Sequence, residues 1–294
     1  MKKKLLLFAT LAFIVTAFLA CGNDSIKKNS AFVTENMTDS LETQKGDLNY
    51  WSAITMDFPT KGNPQLVRSI QEWMADQAET SDSVDFASAT DFMKDFNKRN
   101  EEYFKKLYEE DYGGDGDEDM TEERSINFSR CMEFEKIFEN DQFVTYLAKE
   151  DVYLNGAHGS YFVKGATFRK SDGRQFGFDM LKDSACDSLE NLISKNLEDY
   201  FEVANWKDLK ECLILNDYED KVPLPKNSPY LKGDTLMFVY QQYEIAAYAY
   251  GLPEAAIPLK DLKGMLSPSF VTQNEGSMTP PCIIWKNLQI PHTV

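Results

Sequence analysis

Histidine is nearly absent from this 294-residue sequence, which carries only His158 and His292. That scarcity excludes a HExxH helix, a zinc finger and any histidine-rich metal centre, since each needs imidazoles at close, fixed spacing. The GxSxG elbow, the P-loop and the GxGxxG turn are missing too, so no motif argues for an α/β-hydrolase, an NTPase or a dinucleotide enzyme. Nothing in the sequence calls for a cofactor. Basic side chains are also scarce: 31 Lys and Arg against 48 Asp and Glu leave a formal charge of -17. Such a surface repels phosphate backbones, and nucleic-acid binding is disfavoured. The uncharged stretch at residues 5–20 stops at sixteen residues, short of the roughly 20 that a helix needs to span hydrocarbon.

What is present begins with an address. Lys2, Lys3 and Lys4 precede that apolar stretch, which is the layout of a secretory signal over residues 1–20. It closes on Phe18-Leu19-Ala20-Cys21-Gly22, which resembles the lipobox of bacterial lipoproteins, with Phe18 where leucine is usual. The resemblance implies cleavage before Cys21 and acylation of its thiol; plain signal cleavage is the alternative. Removal of residues 1–20 takes away three lysines and no acid, so the exported charge moves from -17 to -20. Acyl chains contribute about 0.8 kcal/mol per buried methylene and would hold the body at a membrane without a spanning helix. Residues 21–46, polar and aperiodic, read as a tether.

Four further cysteines, Cys131, Cys186, Cys212 and Cys282, are an even set that allows three complete pairings in an oxidising compartment. None has metal-ligand spacing, and unpaired thiols remain the other reading.

Residues 48–58 are rich in strand formers. Asn63-Pro64 then supplies a cap and a first-turn proline for a helix over 64–79, with Leu66, Val67, Ile70, Trp73 and Met74 on one face. A second helical pattern runs over 88–108 through Phe92, Met93, Phe96, Tyr103, Phe104 and Leu107. Residues 109–123 are acidic. Asp115, Asp117 and Asp119 alternate as in an EF-hand, but Met120 stands at the glycine position and Ile126 at the twelfth, so a solvated loop is favoured over a Ca²⁺ site. From residue 126 the pattern alternates: strands are expected over 126–138, 142–154, 160–169 and 175–178, then helices over 186–201 and 206–212. Strands at 235–240 and 254–258 and a helical turn or two at 259–266 complete the body. The class is α+β: an antiparallel meander packed with helices, as a tandem of a small module (47–125) and a larger domain (126–270), followed by a tail (271–294).

Two sites invite chemistry. His158 and Ser160 are the one close histidine–hydroxyl pair, but alternate strand residues lie about 6.5–7 Å apart, too far for a nucleophile–base bond. The favoured reading is that His158 holds its turn by bonding backbone groups, with Gly156 and Gly159 supplying unusual dihedrals. Tyr240, Tyr243, Tyr248 and Tyr250, interspersed with Gln241, Gln242 and Glu244, suit a glycan-stacking or protein-binding surface, although ordinary strand and core packing is the favoured reading.

Residues 153–159 (YLNGAHG) resemble a Y-x-G-G-A-H-P turn, and residues 238–251 (FVYQQYEIAAYAYG) with Ile257-Pro258-Leu259 resemble an F-x-Y-x-x-Y-E-I-A-P-Y-A-x-G ending. Both belong to the RsiV C-terminal-type family (domain of unknown function 3298), over residues 126–270. Asn155 replaces a glycine of that pattern and Gly159 its proline. Upstream, residues 55–59 and 63–77 are similar to the companion module, domain of unknown function 4163. The resemblance implies a tandem outside the membrane, as in the lysozyme-sensing part of an anti-sigma factor or the non-catalytic part of a peptidoglycan deacetylase. Neither a cytosolic segment nor a metal-binding catalytic domain accompanies it here, so binding is the implied activity. The expectation is a non-enzymatic, lipid-anchored protein on the periplasmic or cell-surface face of a bacterial membrane. Its ligand would be a cationic, lysozyme-like protein or a peptidoglycan-type glycan. Its rivals are a cell-wall hydrolase or deacetylase using His158, and a structural envelope lipoprotein.

Overall fold

Strand formation starts earlier than the composition suggests. The computed structural model describes residues 31–80, 85, 87–112, 125–214 and 221–271. The signal, Cys21, the three alternating aspartates, Cys282 and residues 272–294 lie outside the described residues. Within them, β1 (Val33–Lys45) is a 13-residue strand paired antiparallel with β2 (Leu48–Lys61). This corrects the reading of residues 21–46 as tether throughout. The polar composition arises because β1 is an edge strand, where every second residue meets solvent and Glu35, Asp39 and Glu42 discourage a further strand.

Helix α1 (Pro64–Gln77) starts as its cap predicts, with the Asn63 side chain accepting from the Gln65 amide at 3.0 Å. Helix α2 (Ala89–Asp111) starts at Ser88, whose hydroxyl accepts from Asp91. The chain then enters β3 (Ile126–Glu139), which pairs parallel with β2, and continues through β4 (Phe143–Leu154), β5 (Ser160–Arg169) and the two-residue β6 (Gln175–Phe176). The strand order is β1-β2-β3-β4-β5-β6, with β3 to β6 forming the expected meander. The α+β class holds. The boundary drawn at 125/126, however, falls inside one sheet, because a strand–helix–helix–strand crossover returns the chain beside β2.

Both helices cover one sheet face. Ile54, Met56, Phe134, Tyr146 and Phe168 meet Leu66, Ile70, Trp73, Phe92 and Phe96 in one apolar cluster, and Tyr50, Phe104 and Phe128 in a second. A buried polar chain lies between α2 and the sheet. Ser52 donates to Asn97 at 2.6 Å and accepts from Asn100 at 3.0 Å, Asn97 donates to Asp39, and Arg130 reaches Asn100 and Glu150. Apolar burial alone would tolerate α2 sliding along the sheet; these directional bonds set its register.

The remaining chain builds a second unit. Helices α3 (Cys186–Tyr200) and α4 (Trp206–Cys212) pack with a sheet of order β7-β8-β9, formed by Tyr230–Lys232, Thr235–Val239 and Glu254–Pro258. Strand β7 is not legible in the sequence at three residues, and residues 259–266 form turns before α5 (Pro268–Val271). Tyr230, Met237 and Val239 pack on Ile137 and Leu147, so the small sheet covers only part of the face opposite the helices. A Cβ at Gly165 would lie 2.1 Å from the Tyr230 ring, so this seam requires glycine there.

Replacing Asn100 by alanine leaves the Ser52 hydroxyl and the Arg130 guanidinium each short of a partner. We expect a loss of about 1–3 kcal/mol, read by urea denaturation. An unchanged midpoint would show that the polar chain does not set the helix.

Candidate functional site

The turn after β8 is where the sequence-marked residues meet. Strand β5 presents an edge beyond β4, and β6 pairs only with Thr167 and Phe168. The rest of that edge is met by side chains. Gln241 accepts from the Val163 amide at 3.1 Å and donates to its carbonyl at 2.9 Å, Gln242 accepts from the Tyr161 amide at 3.0 Å, and Asn227 adds a bond to the Val163 carbonyl. Two glutamine amides thus take the place of a neighbouring strand. Glu244 fixes the turn itself, accepting from the Gln241 and Lys226 amides at 2.8 and 2.6 Å.

This clamp holds Tyr243 in the left-handed region, φ 62°, with its ring 56% exposed. Such a conformation in an aromatic residue costs on the order of 1–3 kcal/mol and persists only where its surroundings impose it. The Tyr243 hydroxyl lies 3.4 Å from His158 Nε2, and the His158 ring stacks on Tyr248 with centroids 4.0 Å apart. Tyr248 donates to the Gly159 carbonyl at 3.2 Å, and His158 Nδ1 lies 2.9 Å from the same oxygen. A carbonyl only accepts, so Nδ1 is the donor to Gly159, and Nε2 faces the Tyr243 hydroxyl. No hydrogen bond joins His158 to Ser160 or to a carboxylate among the described residues.

The other sequence-marked residues lie apart. Tyr240 is fully buried and donates to the Pro223 carbonyl at 2.7 Å, so it is a core residue; burial pushes its hydroxyl far above the usual phenol range. Tyr250 packs on Phe201 at 5.0 Å with its hydroxyl beside Cys212. The left-handed conformation of the His158 turn falls on Asn155 (φ 57°), not on Gly156 or Gly159, because a short amide side chain tolerates it while bonding the Asn127 amide. Cys131, Cys186 and Cys212 are free. Pairing all four cysteines would need a bond among these three, and none forms.

A second part of the surface went unmarked in the sequence. The sheet face opposite the helices is uncovered toward the β2 start, and there the register aligns Trp51 of β2, Ser129 of β3 and Tyr153 of β4 in one row. Trp51 is 46% exposed. A cavity of about 370 Å³ lies on this row, bordered also by Glu42, Gln44, Asn49 and Asn127. Gly159 connects the two regions: a Cβ there would stand 3.0 Å from the Val152 carbonyl and 3.9 Å from Tyr153 Cβ. Strand alternation marks Trp51 as opposite in face to Tyr50 and Ser52, but only the strand order puts it two strands from Tyr153. A larger cleft of about 670 Å³ between α1 and the β5 edge mixes Glu72 and Asp76 with Lys164 and Arg174 and presents no open aromatic face, since Trp73 there is 7% exposed.

Comparison with known proteins bears on the same region. The family described as "Protein of unknown function (DUF3298)" matches residues 179–260, a span that holds the Tyr240–Tyr250 turn but not His158. No curated protein matches the sequence. The crystal structure of a DUF3298 family member from Bacteroides fragilis is similar with a TM-score of 0.64 and 17% identity, over 81% of this chain and 96% of that one. A DUF3298 family protein from Pseudomonas aeruginosa is similar with a TM-score of 0.55 and 14% identity, over 82% and 97% respectively.

Two outcomes check this geometry. Replacing Gln241 and Gln242 together by alanine should speed hydrogen exchange at the Tyr161 and Val163 amides and cost about 1 kcal/mol per lost clamp, whereas unchanged exchange would contradict the edge-capping role. Burial, with Asp151 adding to it, pushes the Cys131 thiol up to about 11. At pH 8 only about 0.1% would be thiolate, so iodoacetamide should modify exposed Cys186 well before Cys131; equal labelling would contradict this. Residues 179–260 match the DUF3298 family model, and the chain shares the fold of the solved DUF3298 proteins.

Proposed function

We propose that this protein is a non-catalytic recognition module of the bacterial cell envelope, anchored through acylated Cys21, whose ligand is a cationic protein of the lysozyme type. The His158–Tyr243–Tyr248 cluster carries the reading. Its solvent-facing ring is held in a strained backbone conformation by a dedicated set of side-chain bonds, and strain of that kind gathers at binding and active sites. Tyrosine offers a large, rigid, amphipathic contact at low entropic cost. The exported charge of -20 would steer a cationic partner and raise the association rate more than the affinity. The likeness of residues 238–251 to the RsiV-type ending supports the same ligand class.

Binding is favoured over catalysis because no hydrogen bond joins His158 to Ser160 or to a carboxylate among the described residues; its Nε2 faces the Tyr243 hydroxyl and its Nδ1 the Gly159 carbonyl. A cell-wall hydrolase or deacetylase would need a carboxylate beside that pair, to hold a metal or to serve as acid or base.

The test uses the full chain immobilised on a surface, with hen egg-white lysozyme in flow. The account expects binding whose on-rate falls steeply as salt rises, and a roughly tenfold or greater loss of affinity for Tyr243→Ala, with Tyr250→Ala unchanged. No binding at low ionic strength would defeat this reading.

A further inference from the structure

We infer that the row Trp51–Ser129–Tyr153 on the open sheet face is a binding site for a neutral oligosaccharide, a site separate from the His158 cluster and independent of the protein ligand proposed above. The register carries the argument. Trp51 pairs with Ser129 across the parallel β2–β3 ladder, and Ser129 with Tyr153 across the antiparallel β3–β4 ladder, so two aromatic side chains flank one small residue on adjacent strands. Strands are spaced about 4.8 Å apart, which places the flanking Cα positions roughly 10 Å apart with only a hydroxymethyl group between them. In the next row the small residues Ala53 and Cys131 lie beside Trp51 and Ser129, with Asp151 following on β4.

A pyranose ring is flat, apolar on its C–H faces and polar around its rim. Aromatic rings standing on a sheet meet its faces, and planar amides and carboxylates meet its rim. Both are present here. The cavity of about 370 Å³ is bordered by Gln44, Asn49, Asn127 and Glu42. Trp51, Tyr153, Gln44 and Glu42 make no side-chain hydrogen bond with other described residues, so an indole N–H, a phenol, an amide and a carboxylate remain free for hydroxyl groups. Its volume falls within the roughly 300–1,000 Å³ of small-molecule sites.

The charge of the border narrows the class. Glu42 is its one acidic side chain and no lysine or arginine lines it, so an anionic ligand such as a phosphate or an acidic sugar is disfavoured. A lysine-rich peptide is the competing class, since a cation could sit over Trp51 beside Glu42. The free hydroxyl and amide groups have no role in that alternative, which favours the sugar.

The experiment titrates the full chain with N-acetylchitotetraose, with cellotetraose and with trilysine, read by calorimetry and by tryptophan fluorescence. Saturable binding of either sugar is expected, weakened at least tenfold by Trp51→Ala and by Tyr153→Ala and abolished by Ser129→Leu, which fills the slot. Trp51 is half exposed, so its variant should keep the wild-type melting temperature, and Trp73→Phe serves as the unaffected control. Absence of binding by both sugars at millimolar concentration would overturn the proposal. So would binding indifferent to Trp51 and Tyr153, or Trp51-dependent binding of trilysine alone. Loss of lysozyme binding in Tyr243→Ala with sugar binding intact would confirm that the two sites are separate.

Discussion

The parallel pairing of β2 with β3 is the contact on which everything else in the molecule depends. Nine register positions, from Leu48↔Ile126 to Met56↔Phe134, join the two ends of a crossover that contains both long N-terminal helices. Parallel pairing needs such a crossover, and the crossover dictates that the helices lie together on one face. The opposite face is then left to whatever the rest of the chain can supply. The second unit supplies a small three-stranded sheet, seated on Ile137 and Leu147 and fitted to Gly165 through Tyr230. It is too small to cover the whole face. The uncovered remainder carries the aromatic row.

How the second unit is attached matters as much as how little it covers. Burial through Tyr230, Met237 and Val239 is apolar and non-directional. The glutamine clamps on Tyr161 and Val163 are directional, and they satisfy backbone groups that an edge strand would leave open to another chain. One short turn therefore closes an edge, docks one unit on the other and presents Tyr243 to solvent. These bonds account for the polar groups of the Tyr–Gln–Gln–Tyr–Glu stretch at the end of a buried strand.

Much of this was legible from periodicity. The helices at 64–79 and 88–108 came from apolar spacing and from Asn63 and Ser88, and the structure returns Pro64–Gln77 and Ala89–Asp111 on those caps. The meander was legible because alternation and turn residues are local signals. Three features were not. Strand β1 was hidden because an edge strand has no strong apolar face. The single sheet was hidden because pairing across a crossover leaves no local mark. Among the tyrosines, the sequence could not separate buried Tyr240 from exposed Tyr243, since both belong to one aromatic run and only the turn geometry sends them to opposite sides.

The central claim is that one continuous sheet, not two separate modules, sets out the aromatic row. Cross-strand nuclear Overhauser contacts in isotope-labelled protein read that register directly. The account predicts contacts linking Trp51 to Ser129 and Ala53 to Cys131, alongside those linking Ser129 to Tyr153. Contacts from β2 to β1 alone, with none to β3, would leave residues 47–125 and 126–270 as independent bodies and contradict it.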